Sequence, residues 1–236
     1  MKNRFFKKDS KNIINIDSRN KKIISADTAK EMLVEGNQRY ISGRPSYKKI
    51  SPKVLLDLYE NGQHPYAAIV TCSDSRVSPE LIFDAGLGEI FVVRNAGNIA
   101  DSLAVGSIEY AVKILKVPLV IVLGHDKCGA VKAAVEEWDN SPDIKTIVRN
   151  ITPAVEKVKA DFRNISSAEI ALRAENENIS LSVNRLLESS IIKEAKDSGN
   201  IDVILAKYDM VTGKVKFPDF FQLNSGESKN QRIISI

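Results

Sequence analysis

Four short runs rich in Val and Ile constrain the fold of this chain more than any other feature: Ala67–Cys72, Glu89–Arg94, Val117–Leu123 and Ile201–Ala206. None alternates apolar with polar residues, so none suits a strand with one wet face. Runs of this length suit strands buried on both faces. Helical patterns lie between them. Ala104, Ile108, Ala111, Val112 and Leu115 share one helical face, and Ala130–Trp138 is helix-forming. Ile144, Ile147, Val148 and Ile151 keep helical spacing up to Pro153, which kinks that helix or starts another. A long helical stretch from Ala168 to about Ser198 stops at Gly199. Strands alternating with helices predict an α/β fold, with a mainly parallel central sheet flanked by helices. Upstream, Thr28-Ala-Lys-Glu31 is a capping box that predicts a helix from near Thr28 to the Gly43–Pro45 stop, an N-terminal helical arm. A further helix is expected around Pro52–Glu60, and Val211–Val215 reads as a turn into a short final strand.

The length of 236 residues suits one sizeable domain with appendages. The longest purely apolar run, Val117–Leu123, is far too short to span a membrane and contains Pro118. Charge is uneven. Met1–Ile23 holds eight Lys/Arg against two acids, a net of +6 in a chain whose total is +4, so the remainder carries −2. The basic character therefore belongs to residues 1–25, expected as a flexible arm, and the single α/β domain is expected over 26–236. A nucleic-acid-binding domain would spread a basic stripe over a structured face, so no nucleic-acid partner is expected. No 7–15-residue apolar stretch follows the basic start, as a secretory signal would require. A cytoplasmic location without membrane attachment is the expectation.

Only two cysteines, Cys72 and Cys128, and two histidines, His64 and His125, are present. Two cysteines make no disulfide framework. Cys72-Ser-Asp-Ser-Arg76 ends the first apolar run, and Gly124-His-Asp-Lys-Cys-Gly129 ends the third. Parallel sheets align the C-terminal ends of their strands along one edge, where such folds bind ligands. The two motifs can therefore converge across 53 residues of chain. Cys72, His125 and Cys128 supply two thiolates and an imidazole, a set suited to zinc. Asp74 can bind the metal or accept a hydrogen bond from water on it. Arg76 can grip that carboxylate as a fork and so decide between the two. Cys128 precedes a predicted helix, whose dipole favours its thiolate.

With these residues in place, the chain resembles the β-class carbonic anhydrases. Further segments fit the resemblance in order: Gly36-Asn-x-Arg-Tyr40, Phe91-Val-Val-Arg-Asn-Ala-Gly-Asn98, Ser107-Ile-Glu-Tyr110 and Tyr208-Asp-x-x-Thr-Gly213. It covers about Ala26 to Val215. It implies one zinc ion per chain, held by Cys72, His125 and Cys128, with water or Asp74 in the fourth position. It implies Asp74 and Arg76 as the catalytic pair, and Gln63, nine residues before Cys72, as a substrate hydrogen-bond donor. Phe91, Ala96 and Tyr110 match residues of a narrow apolar pocket at a dimer interface. A homodimer or dimer-based tetramer is implied, with the first helix packed on the neighbouring subunit. Two departures stand out. Ile69 replaces the Trp of a subclass with a second bicarbonate site, although Arg94 is present. Asp126-Lys127 follows His125 where Ser or Thr is common. His64, before Pro65, reads as a solvent-facing loop residue rather than a proton shuttle.

The implied reaction is the reversible hydration of carbon dioxide to bicarbonate and a proton. A zinc hydrolase acting on carbon disulfide or carbonyl sulfide would share the ligands and differ in pocket access. A non-catalytic zinc scaffold would leave Asp74, Arg76 and Gln63 without a reason to occur together. A thiol redox protein would need its cysteines closer in sequence. Two thiolates cancel the charge of zinc, so water on it should be a weaker acid than on a three-histidine centre, and hydration should favour alkaline pH.

Overall fold

The computed structural model describes residues 24–46, 50–139 and 141–217. The expected basic arm lies outside these residues apart from Ile24 and Ser25, as does the end of the 26–236 domain beyond Phe217. The described elements run α1 (Ala26–Ile41), α2 (Pro52–Asn61), β1 (Ala67–Cys72), α3 (Pro79–Ile82), β2 (Ile90–Asn95), α4 (Ser102–Lys113) and β3 (Leu119–His125). They continue with α5 (Gly129–Val135), α6 (Pro142–Asp161), α7 (Ser167–Leu187), α8 (Ser190–Asp197), β4 (Asp202–Tyr208) and β5 (Val215–Lys216).

The sheet has the order β2-β1-β3-β4-β5, its first four strands parallel and β5 antiparallel to β4. Every residue of β1 and β3 is buried, which is why their sequences do not alternate. The two faces still differ in what covers them. Ala68, Val70, Val120, Val122 and Val203 pack against Ile108 of α4, Ile179 and Leu186 of α7, and Ile192 of α8. Ala67, Ile69, Leu119, Ile121 and Leu123 point the other way, against Ala29 and Leu33 of α1 and Ile82 and Phe83 at α3. Each large side chain fully buried in this way contributes about 1.5–3 kcal/mol.

Helix α1 begins earlier than the capping box predicts. The Ser25 hydroxyl accepts the Thr28 backbone N–H at 3.1 Å, so Thr28 lies inside the first turn instead of capping it. Ala29 and Leu33 lie on its buried stripe. Gly36 follows on that stripe, where a Cβ would stand 1.9 Å from the Phe83 carbonyl oxygen. Asn37 donates to the carbonyls of Ile82 (3.1 Å) and Gly213 (2.9 Å) and accepts from the Val215 N–H at 2.9 Å. Arg39 pairs with Asp84 at 2.6 Å. The Gly36–Tyr40 segment thus fastens α1 to its own chain. The expected contact with a neighbouring subunit would have to use the helix's other side, where Val34 is exposed.

The single long helix expected up to Ser198 is two helices. Ser189 breaks it: its hydroxyl caps α8 through the Ile192 N–H and meets Glu109 Oε1 of α4 at 2.6 Å. That tertiary contact competes successfully with local helix continuity. Pro153, in contrast, neither ends nor splits its helix, because α6 runs through it from Pro142 to Asp161.

Candidate metal centre

Pairing of β1 with β3 sets Thr71 beside Leu123, so both strands end together. Cys72 is the last residue of β1 and His125 the last of β3. Cys128 follows a tight turn in which Lys127 takes φ 52°, and it caps α5. All three side chains are buried, and their donor atoms lie within 4.8 Å of one another. The two sulfurs are 4.0 Å apart. Tetrahedral zinc with bonds of about 2.3 Å holds two sulfurs about 3.8 Å apart.

His125 Nδ1 lies 2.8 Å from the Asp126 carbonyl oxygen, an acceptor, so in the neutral ring Nδ1 carries the proton and Nε2 is the acceptor. Nε2 is buried and has no hydrogen-bond partner. An orphaned buried acceptor beside two sulfurs is costly without a cation and well satisfied with one. The donor set therefore fits zinc. The contact with Cys128 pulls the Cys72 thiol well below its ordinary value, against burial, with the His125 contact and the Gly97 N–H assisting. The same contact, together with burial, pushes Cys128 up. The Gly97 N–H reaches the Cys72 sulfur at 3.3 Å.

Beside this cluster, Asp74 and Arg76 form the expected fork. Arg76 Nε donates to Asp74 Oδ1 at 2.9 Å and Nη2 to Oδ2 at 2.7 Å, while the Arg76 backbone N–H also reaches Oδ1 at 3.0 Å. These bonds, side chain first, hold the Asp74 carboxyl well below the usual carboxylate range. Arg76 Nη2 also reaches the Lys127 carbonyl at 3.3 Å, joining the two loops. Arg94 donates to the carbonyls of Cys72 (3.3 Å) and Asp74 (2.9 Å). Asp74 is held by the guanidinium and lies outside the three-residue donor group.

The other sequence candidates divide. Ala96 immediately precedes Gly97 and so sits at the centre's rim. Phe91 and Tyr110 meet each other, with ring centroids 6.3 Å apart. Phe91, however, pairs with Ala68, four register positions before the Cys72–Asn95 pair. Gln63 is exposed on the loop that enters β1, so the whole strand, about 20 Å at 3.3 Å per residue, separates it from Cys72. His64 shares that exposed loop, its N–H bonded to the Gly88 carbonyl.

Sequence reading missed the support beneath the centre. Glu175, Asn178 and Ser182 form a buried polar seam along α7. Glu175 Oε1 accepts the Cys128 N–H at 3.2 Å, Asn178 donates to the Gly97 carbonyl at 2.8 Å, and Ser182 to the Asn98 carbonyl at 2.9 Å. Three polar residues at helical spacing, interleaved with Ala174, Ile179 and Val183, were the available signal.

The chain is similar to known proteins. The family model described as carbonic anhydrase matches residues 67–215. Carbonic anhydrase 2 of Mycobacterium tuberculosis is 38% identical over 191 residues, covering 79% of this chain and 90% of that protein. The structure of the β-carbonic anhydrase CcaA superposes with a TM-score of 0.65 at 28% identity, over 79% of this chain and 93% of that one. The Coccomyxa β-carbonic anhydrase, solved with acetazolamide, gives 0.64 at 26% identity, over 79% and 84%.

Proposed function

The chain belongs to the β-class carbonic anhydrase family, lyases that hydrate carbon dioxide reversibly to bicarbonate and a proton, and from that premise we propose roles for its residues. Cys72, His125 and Cys128 hold one zinc ion per chain. The observation that carries this reading is the convergence of their donor atoms within 4.8 Å, with His125 Nε2 buried and otherwise unpartnered. When bound, zinc supplies a Lewis acid that makes water nucleophilic.

The rest of the chemistry falls to the chain. Asp74 Oδ1 already accepts two bonds from Arg76, whereas Oδ2 accepts one. A carboxylate oxygen has two acceptor sites, so Oδ2 keeps a lone pair. Through it Asp74 accepts a hydrogen from the attacking water and turns the water's own lone pair toward carbon. Arg76 fixes that oxygen in place and prevents Asp74 from moving onto the metal. Ala96 keeps the rim small and apolar beside the site, as a linear nonpolar substrate requires.

Gln63, Phe91 and Tyr110 act across a subunit boundary in this reading. Gln63 stands at the wrong end of β1 to serve its own chain's centre, and a second copy could bring one into reach. Helix α2 supports such pairing, since it buries none of its residues and leaves Val54, Leu55, Leu56 and Tyr59 exposed. A homodimer, or a tetramer built from it, is the proposed assembly. No described helix is long and apolar enough to cross a membrane, and a cytoplasmic location is proposed. Metal content measured beside carbon dioxide hydration across pH tests the whole reading. Stoichiometric zinc with measurable hydration is expected; a zinc-free protein, or a zinc-loaded one inert toward carbon dioxide, would overturn it.

A further inference from the structure

Lys207 of β4 takes no part in the chemistry above, yet it stands directly behind the metal-binding loop. Its ammonium lies 2.9 Å from Glu175 Oε2 and 3.1 Å from Asp126 Oδ1. Its side chain is 17% exposed, and that of Glu175 6%. Each acid it holds touches a different metal ligand. Glu175 uses its other oxygen to accept the Cys128 N–H at 3.2 Å. Asp126 supplies the backbone carbonyl that fixes the His125 tautomer at 2.8 Å. Strand pairing sets the register of this arrangement: Lys207 lies beside Gly124, and Tyr208 beside His125. The Asp126 N–H also donates to the Tyr208 carbonyl at 3.3 Å.

We infer that Lys207 is a positioning residue for the metal centre, clamping the His125–Cys128 loop by holding Glu175 and Asp126 at once. The inference rests on the zinc reading above. The physical argument is pre-organisation. A carboxylate buried like that of Glu175 is expensive without a counter-charge. Without Lys207 it would draw in water or turn outward, releasing the Cys128 N–H. Asp126 would lose the ion pair that pins its residue in the turn, and its carbonyl would be freer to leave His125 Nδ1. Both ligands on the β3 side would then have to be ordered by the metal itself, at the expense of affinity. The arrangement also accounts for the departure at position 126. An aspartate there adds the second arm of the clamp.

The test compares full-length wild type with Lys207→Met, Lys207→Arg and Asp126→Asn. Zinc affinity is measured by competition with a chromophoric chelator. The visible absorption bands of the cobalt-substituted proteins report ligand geometry, and thermal unfolding is followed with and without metal. Lys207→Met should bind zinc about 10- to 100-fold more weakly, with altered cobalt bands. Lys207→Arg should recover most of the affinity, and Asp126→Asn should lose less than Lys207→Met. Lys207→Met with wild-type zinc affinity and unchanged cobalt bands, but lower stability with and without metal alike, would show an ordinary ion pair and overturn the inference. Should Lys207→Met fail to fold, the half-exposed Asp126→Asn decides: unchanged affinity there also overturns it. Wild type that takes up no zinc would overturn the metal reading and the clamp with it, whereas zinc-binding wild type with indifferent variants overturns the clamp alone.

Discussion

The two edges of the sheet are built on opposite principles. At the C-terminal edge, one chain supplies everything: three buried donors, the Asp74–Arg76 fork, and a polar seam from α7 beneath them. At the N-terminal edge, Gln63 is exposed and α2 presents Val54, Leu55, Leu56 and Tyr59 to solvent. In the reading proposed above, the first edge is complete within one chain. The second is a surface whose apolar area calls for a partner. The difference teaches that the metal centre should form in each chain alone, whereas the substrate pocket should need two.

The most severe way to test the self-sufficient edge is to remove a donor. Cys72→Ala, His125→Ala and Cys128→Ala should each lose zinc and reduce hydration to background, measured by elemental analysis and stopped-flow assay. Stoichiometric zinc retained in all three would refute the site. Next in size is Arg76→Ala, which frees the Asp74 carboxylate. It should keep zinc and lose about 10²-fold in rate, since the orientation of the attacking water goes with the fork. A fully active variant would remove Asp74 and Arg76 from the mechanism.

The dependent edge is probed by charge. Leu55→Glu with Leu56→Glu should shift the protein to a monomer in sedimentation, with zinc retained and hydration reduced. If the double variant sediments and turns over like wild type, α2 is not the interface and the contrast between the edges fails. Gln63→Ala is expected to cost less, about tenfold, the worth of one substrate hydrogen bond of about 1.4 kcal/mol. Mixing it with Arg76→Ala sharpens the point. If Gln63 serves the partner's site, mixed dimers should recover activity that neither variant has alone.

The smallest expected effect concerns acid. The Asp74 pKa in the folded protein lies below that of an unfolded aspartate, held down first by the Arg76 side chain. Stability from this pair is therefore complete above about pH 4 and is lost only as pH falls through the lower folded value. Asp74 should stay ionised throughout the working range. Hydration should rise toward alkaline pH without an acidic inflection near 4, and Asp74→Asn should lower the height of the profile and, by removing a negative charge beside the water, move its rise toward lower pH. A wild-type rate already level at pH 6 would contradict this.

Much was legible before any coordinates. The non-alternating runs announced a doubly covered parallel sheet, because only burial on both faces tolerates such sequences. The rarity of Cys and His made their pairing at two strand ends conspicuous. Element boundaries were less legible. Ser25 and Thr28 are both competent caps, and local sequence does not separate them; in the fold Ser25 takes the role. Ser189 broke a continuous helical pattern, capping α8 locally while also meeting Glu109 of a distant helix.

What the sequence determined by itself was therefore local and periodic: the layers, the two motifs at strand ends, the Cys72, His125 and Cys128 set proposed to hold zinc, and the Asp74–Arg76 fork two residues apart. What only the tertiary structure decided was long-range and polar. Glu175 and Lys207 are 32 residues apart, on a helix and a strand that local pattern reads as ordinary core elements, and nothing in their spacing says that they meet behind Cys128. Likewise Gln63 stands nine residues from Cys72, a separation that is suggestive on paper. An extended strand turns that separation into the full length of β1, because its rise per residue is more than twice that of a helix.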